Sequence, residues 1–103
     1  MPDAVEVLLA GDSMWPTFLD GDRLMFDLDV DPASVMPGDV VLVSHPLKSD
    51  VTMVKRVRSI NEHGRFFVVG DHPDPTSSED SHNFGHVATK AIVGRWNGEV
   101  KRA

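Results

Sequence analysis

The sequence contains no cysteine, so it can form no disulfide and offers no thiolate nucleophile. Thiol proteolysis is excluded, and a reducing compartment such as the cytosol suits the chain. No apolar run approaches the ~18–20 residues needed to span a bilayer. The first residues, Met1-Pro2-Asp3-Ala4-Val5-Glu6, have neither the basic segment nor the apolar core of an export signal. These features lead to the expectation of a soluble, cytoplasmic protein without a membrane anchor. Positive charge is also scarce, with ten Lys and Arg against sixteen Asp and Glu and a net charge of −6. Such a balance repels a phosphate backbone and argues against nucleic acid as a partner. The acidic residues crowd between Asp20 and Asp39, a run that reads as a solvated face.

What is present is the material of one globular domain. A chain of 103 residues with 41% hydrophobic residues supports a single core, so residues 1–103 are read as one domain. Eight glycines and seven prolines punctuate it into short elements. Val5 to Leu9, Arg23 to Asp27 and the β-branched run Val40-Val41-Leu42-Val43 read as strands. Trp15 to Leu19 has room for a turn or two of helix at most, and Pro32 to Pro37 reads as a loop or brief helical turn. In the strand Val51 to Ile60, alternation puts Val51, Met53, Lys55 and Val57 on one face. Asn61-Glu62-His63-Gly64 suits a hairpin connection to Arg65–Val69. Residues 71 to 86 are loop-forming, and Thr89 to Trp96 resumes a strand pattern. The fold class is therefore mainly β, with short antiparallel strands and at most short helical turns.

Two residues stand out chemically. A serine hydroxyl attacks a carbonyl only with a base in reach and donors where the oxyanion develops. Ser13 follows Gly11, which allows another backbone to come close, and precedes the proline-restricted turn at Pro16. Taken alone it reads as a helix cap or turn residue rather than a nucleophile. Lys55 sits on an apolar strand face, where desolvation penalises the ammonium and lowers its pKa from a reference of about 10.4. The bland alternative is a lysine snorkelling to the sheet edge. Trp15 and Trp96 read as core or pocket-wall aromatics. His82 and His86, with His72 nearby, have a spacing that would suit a metal on a helix, but the segment is too rich in loop formers, so no metal is expected.

The order Gly11-Asp12-Ser13-Met14-Trp15-Pro16-Thr17, Gly38-Asp39-Val40-Val41, Met53-Val54-Lys55-Arg56-Val57, Gly70-Asp71 and Ser78-Glu79-Asp80-Ser81-His82-Asn83-Phe84-Gly85 resembles the type I signal peptidase (S26) family over nearly the whole chain. The resemblance implies the catalytic β-fold shared with LexA-like repressors and a serine peptidase with a Ser/Lys dyad. In it Ser13 is the nucleophile, Lys55 the general base and Ser78 the hydroxyl that orients the lysine, while Asp80 braces the site. The backbone N–H of Ser13 supplies part of the oxyanion hole. Gly11 stands where some members carry a second, hydroxyl-bearing donor. Two extra residues between Asp71 and Asp80 leave Thr76 and Ser77 as alternatives to Ser78, and His72 stands where asparagine is usual. His82 replaces the usual arginine, which weakens a salt bridge unless the imidazole is protonated.

The resemblance also implies no cofactor and a precursor protein or peptide bound in extended form beside a strand edge. It is similar to the anchor-less branch that matures nickel superoxide dismutase by removing an N-terminal extension. A repressor-type peptidase with another substrate and an inactive β-rich binding module are the other readings. Oligomeric state is left open.

Overall fold

The computed structural model describes residues 3–103 and is mainly β. Six strands form one antiparallel sheet: β1 (Ala4–Leu8), β2 (Arg23–Asp27), β3 (Val40–Ser44), β4 (Thr52–Ile60), β5 (Phe66–Val69) and β6 (Ile92–Lys101). Their order across the sheet is β1-β2-β6-β3-β4-β5. Among the described residues, one short helix, α1 (Ser81–Phe84), and two 3-10 turns, Pro32–Ser34 and Thr89–Ala91, complete the regular structure. Among the described residues, no helix is long and apolar enough to cross a membrane.

The β4–β5 hairpin forms as its sequence predicts. Asn61 Oδ1 accepts the N–H groups of His63 and Arg65, at 3.0 and 2.9 Å, and Gly64 takes the positive φ that closes the turn. Two readings are corrected. The last strand begins at Ile92, after a 3-10 turn, and runs on to Lys101. It continues because β6 advances four positions from Trp96 to Val100 where β2 advances two between Phe26 and Leu24, and Gly98, at φ 97°, absorbs the bulge. The segment 71–86 also contains α1, which forms because Asp80 caps it: its side chain accepts the His82 N–H while the Asp80 N–H donates to Asn83 Oδ1.

Two apolar clusters follow from strand alternation. One joins Leu9, Met14, Phe18, Leu24, Phe26, Val40, Leu42 and Val54. The other joins Val35, Val41, Val43, Val57, Phe66, Val68, Val87 and Ile92. Val54 and Val57 of β4, three positions apart, thus serve different clusters, as period-two geometry requires. Trp96 packs edge-on against Phe18, whereas Trp15 is half-exposed and leans on His72. The sheet curls far enough that β1, at one margin, and the first half of β4, near the other, line one cleft.

The acidic run is not uniformly solvated. Asp22 is wholly covered, and its carboxylate accepts the N–H groups of Leu19 and Ala103, each at 2.9 Å, and the Arg102 guanidinium at 2.9 Å. It ties the chain beyond Ser13 to the end of β6.

Candidate active site

The cleft has a volume of about 540 Å³, and Ser13, Lys55 and Ser78 all line it. Lys55 comes from β4, where its cross-strand partner is Val41. It therefore faces the same side as the second apolar cluster and is only 2% exposed. Its Nζ lies 2.8 Å from Ser78 Oγ. The snorkelling alternative is overturned, since the amine ends in the cleft rather than in bulk water. Burial pushes the Lys55 pKa down, and the nearby carboxylates of Asp80 and Glu79 push it back only in part.

Ser13 sits on the turn between β1 and β2. Met14 and Phe18, at 0% and 1% exposure, anchor that turn in the first cluster, each contributing about 1.5–3 kcal/mol on burial. A bond from the Phe18 N–H to the Met14 carbonyl at 2.9 Å gives a single helical turn and no assigned helix. The Ser13 carbonyl accepts the His72 N–H at 3.0 Å and packs so closely on Gly70 that a Cβ there would stand 2.6 Å from its oxygen. Glycine at position 70 is thus required by the approach of the Ser13 backbone. Gly11 has φ 87°, and its N–H donates to Asp20 Oδ1 at 2.7 Å.

Of the three candidate hydroxyls, Ser78 is the one Lys55 reaches. Thr76 Oγ1 donates instead to Asp74 Oδ1 at 2.7 Å, and the Ser77 N–H donates to the Asp74 carbonyl at 3.1 Å. Asp80 is buried and accepts the backbone N–H of His82 at 2.8 Å and its ring Nδ1 at 2.9 Å. The other ring nitrogen faces the Arg58 guanidinium at 3.2 Å. Since guanidinium only donates, Nε2 accepts and Nδ1 carries the proton. A neutral His82 therefore satisfies Asp80, and the contact expected to need an imidazolium does not need one. Ser81 Oγ accepts the Val68 N–H at 2.9 Å and fastens this segment to β5.

A cross-brace that the sequence did not announce joins the three motif segments. Arg56, next to Lys55, makes a two-pronged contact with Asp71 at 2.8 and 2.7 Å, and Thr17 Oγ1 donates to the same carboxylate at 2.7 Å. Burial raises the Asp71 pKa, but the bonds from Arg56 and Thr17 outweigh it and hold the carboxyl below its usual range. Thr17, Arg56 and Asp71 all fall within the quoted motifs, yet their mutual contact depends on where the loops land.

The chain matches the family of signal peptidases, peptidase S26, over residues 4–61, more than half its length. The chain belongs to that family of serine peptidases. The matched stretch includes Ser13 and Lys55 and ends before Ser78. No curated protein matches the chain.

Proposed function

We propose that the chain is an endopeptidase in which Ser13 is the nucleophile and Lys55 the general base. The observation that carries this reading is the buried Lys55 amine, held 2.8 Å from Ser78 Oγ in the cleft that Ser13 also lines. A neutral Nζ takes the Ser13 Oγ proton as the oxygen attacks the scissile carbonyl carbon. The protonated amine then gives that proton to the departing amine, leaving an acyl ester on Ser13. Water attacks the ester, Lys55 accepts its proton and returns it to Ser13 Oγ as the carboxylic product leaves. Ser78 orients the amine throughout, and Asp80 braces the segment that carries Ser78.

The oxyanion is served by the backbone N–H of Ser13, which among the described residues is taken by no other acceptor. Gly11 offers no side chain, and its N–H is engaged by Asp20, so it is not a donor here. The substrate lies extended. Thr52 to Lys55 of β4 pair only with β3, because β5 joins β4 from Arg56 onward. β1 pairs only with β2. The two free edges face one cleft, and either accepts a strand of substrate.

The substrate is a precursor protein cut after small residues to remove an N-terminal extension, most specifically the nickel superoxide dismutase precursor in the cytoplasm. The motif series supports this reading, as does the tight turn from Asn61 to Gly64, which joins β4 directly to β5. Incubating the protein with that precursor and reading the product mass tests it. The expected result is one cleavage, lost in Ser13→Ala and in Lys55→Ala while both keep the circular dichroism of the parent. Cleavage by either variant at the parent rate would exclude the dyad.

A further inference from the structure

The turn that carries Ser13 is fastened at two points to three consecutive residues. At the first point, the Ser13 carbonyl accepts the His72 N–H at 3.0 Å and lies against Gly70, where a Cβ has no room. At the second, Thr17 Oγ1 donates to Asp71 Oδ2 at 2.7 Å. The bond from the Phe18 N–H to the Met14 carbonyl makes the stretch between these points one helical turn, which moves as a unit. A unit held only at the Ser13 carbonyl can pivot there, and a bond at its far end removes that freedom.

Asp71 is itself held from β4. Arg56 Nε and Nη2 donate to its carboxylate at 2.8 and 2.7 Å, and Arg56 Nη1 donates to the Gly38 carbonyl at 2.8 Å. Arg56 directly follows Lys55, so its side chain leaves the strand on the face opposite the amine. Short charge-assisted bonds therefore run from the turn that carries Ser13 to the strand that carries Lys55. Thr17 has a second grip, since its carbonyl accepts Arg102 Nη1 at 2.9 Å. That grip leads away from Lys55, to Asp22 and the end of β6.

We propose that Thr17 is a positioning residue whose hydroxyl, through Asp71 and Arg56, fixes the direction of the Ser13 hydroxyl relative to the Lys55 amine. The proposal rests on the Ser13/Lys55 reading for its catalytic meaning. The two grips on Thr17 then differ in kind. Loss of the hydroxyl bond lets Ser13 swing out of line with its base, whereas loss of the carbonyl bond loosens only the Asp22 end. Thr17 is exposed, so its hydroxyl can be removed without opening the core.

Three variants separate these effects: Thr17→Val, which keeps the shape and drops the hydroxyl, Thr17→Ser, which keeps the hydroxyl, and Arg102→Ala. Each is compared with the parent by steady-state kinetics and by hydrogen exchange of the His72 N–H, which reports whether the turn is docked. Thr17→Val is expected to lower kcat about 10-fold with little change in KM, because misalignment acts on the chemical step. It should also speed His72 exchange by about 10-fold, as a locally opened contact does. Thr17→Ser should restore both values, and Arg102→Ala should leave both at the parent level. A Thr17→Val protein with parental kcat and parental exchange overturns the proposal. So does an Arg102→Ala protein that loses as much kcat as Thr17→Val, since any loosening of the turn would then suffice. Exchange needs no turnover, so an inactive parent whose His72 N–H is freed by Thr17→Val would sink the peptidase reading while upholding the two-point fastening.

Discussion

Two buried charged side chains, Asp22 and Lys55, are treated in opposite ways by the same small protein. Asp22 receives two backbone N–H groups and a guanidinium. The bonds from Leu19 and Ala103 dominate, and they hold its pKa below the ordinary carboxylate value. Lys55 has one neutral hydroxyl, and its pKa moves toward the uncharged form. A buried ion with a full set of partners stays ionised and serves the fold, whereas one given a single neutral partner is disposed to exchange its proton. The contrast separates the end of the molecule that Asp22 ties together from the cleft that Ser13 and Lys55 line.

The largest effect that tests this contrast is Lys55→Met. Peptidase activity should fall by about 10²–10⁴-fold, while the melting temperature at neutral pH should rise, because an ill-solvated amine is replaced by an apolar chain of similar length. A lower melting temperature would mean that the amine is structural after all. Asp22→Leu should do the reverse, lowering the melting temperature by several degrees because the N–H groups of Leu19 and Ala103 lose their acceptor. If Asp22→Leu were as stable as the parent, the two sites would not differ in kind.

Gly70→Ala should follow in size. Its Cβ would stand 2.6 Å from the Ser13 carbonyl oxygen, so the turn that carries Ser13 must shift. A loss in kcat of about 100-fold is expected from a displacement near 1 Å, measured against a melting temperature that falls far less than activity.

The pH dependence gives a gentler test. Activity should rise as pH rises through the lowered Lys55 pKa, because in the proposed role of base Lys55 works unprotonated. Stability has the same sign for this residue: between its folded and unfolded pKa values the unfolded chain binds more protons, so stability increases with pH across that window. Asp71 and Asp22, with pKa values below their unfolded ones, contribute stability that is present above the unfolded carboxylate range and is lost on acidification through the folded values. Equilibrium unfolding at several pH values separates these limbs. The smallest expected effect is that of Arg102→Ala, which leaves Asp22 its two N–H partners and should lower the melting temperature only slightly.

Much of the fold was legible because the strands advertise themselves. Val40–Val43 is an unbroken β-branched and apolar run, and alternation through residues 51–60 put Lys55 on the covered side of β4. The β4–β5 turn was legible from Asn61 and Gly64. Other features depend on contacts between distant segments. A charge block taken as solvated concealed Asp22, whose partners lie three residues away at Leu19 and at the far end of the chain. The helix Ser81–Phe84 rests on one cap among many loop formers, and β6 passes Asn97-Gly98 only because β2 tolerates a bulge. The choice of Ser78 over Thr76 and Ser77 follows from Asp74 binding its own local turn, and the Thr17–Asp71–Arg56 brace exists only once three segments meet.

The account turns on the protonation of one amine, which can be observed directly. The chain has four lysines, so ε-carbon NMR of the unmodified protein, with Lys55→Met to assign the missing signal, resolves each titration. The account predicts that Lys55 loses its proton below the ordinary lysine value. A Lys55 signal that titrates at the ordinary lysine value would contradict it.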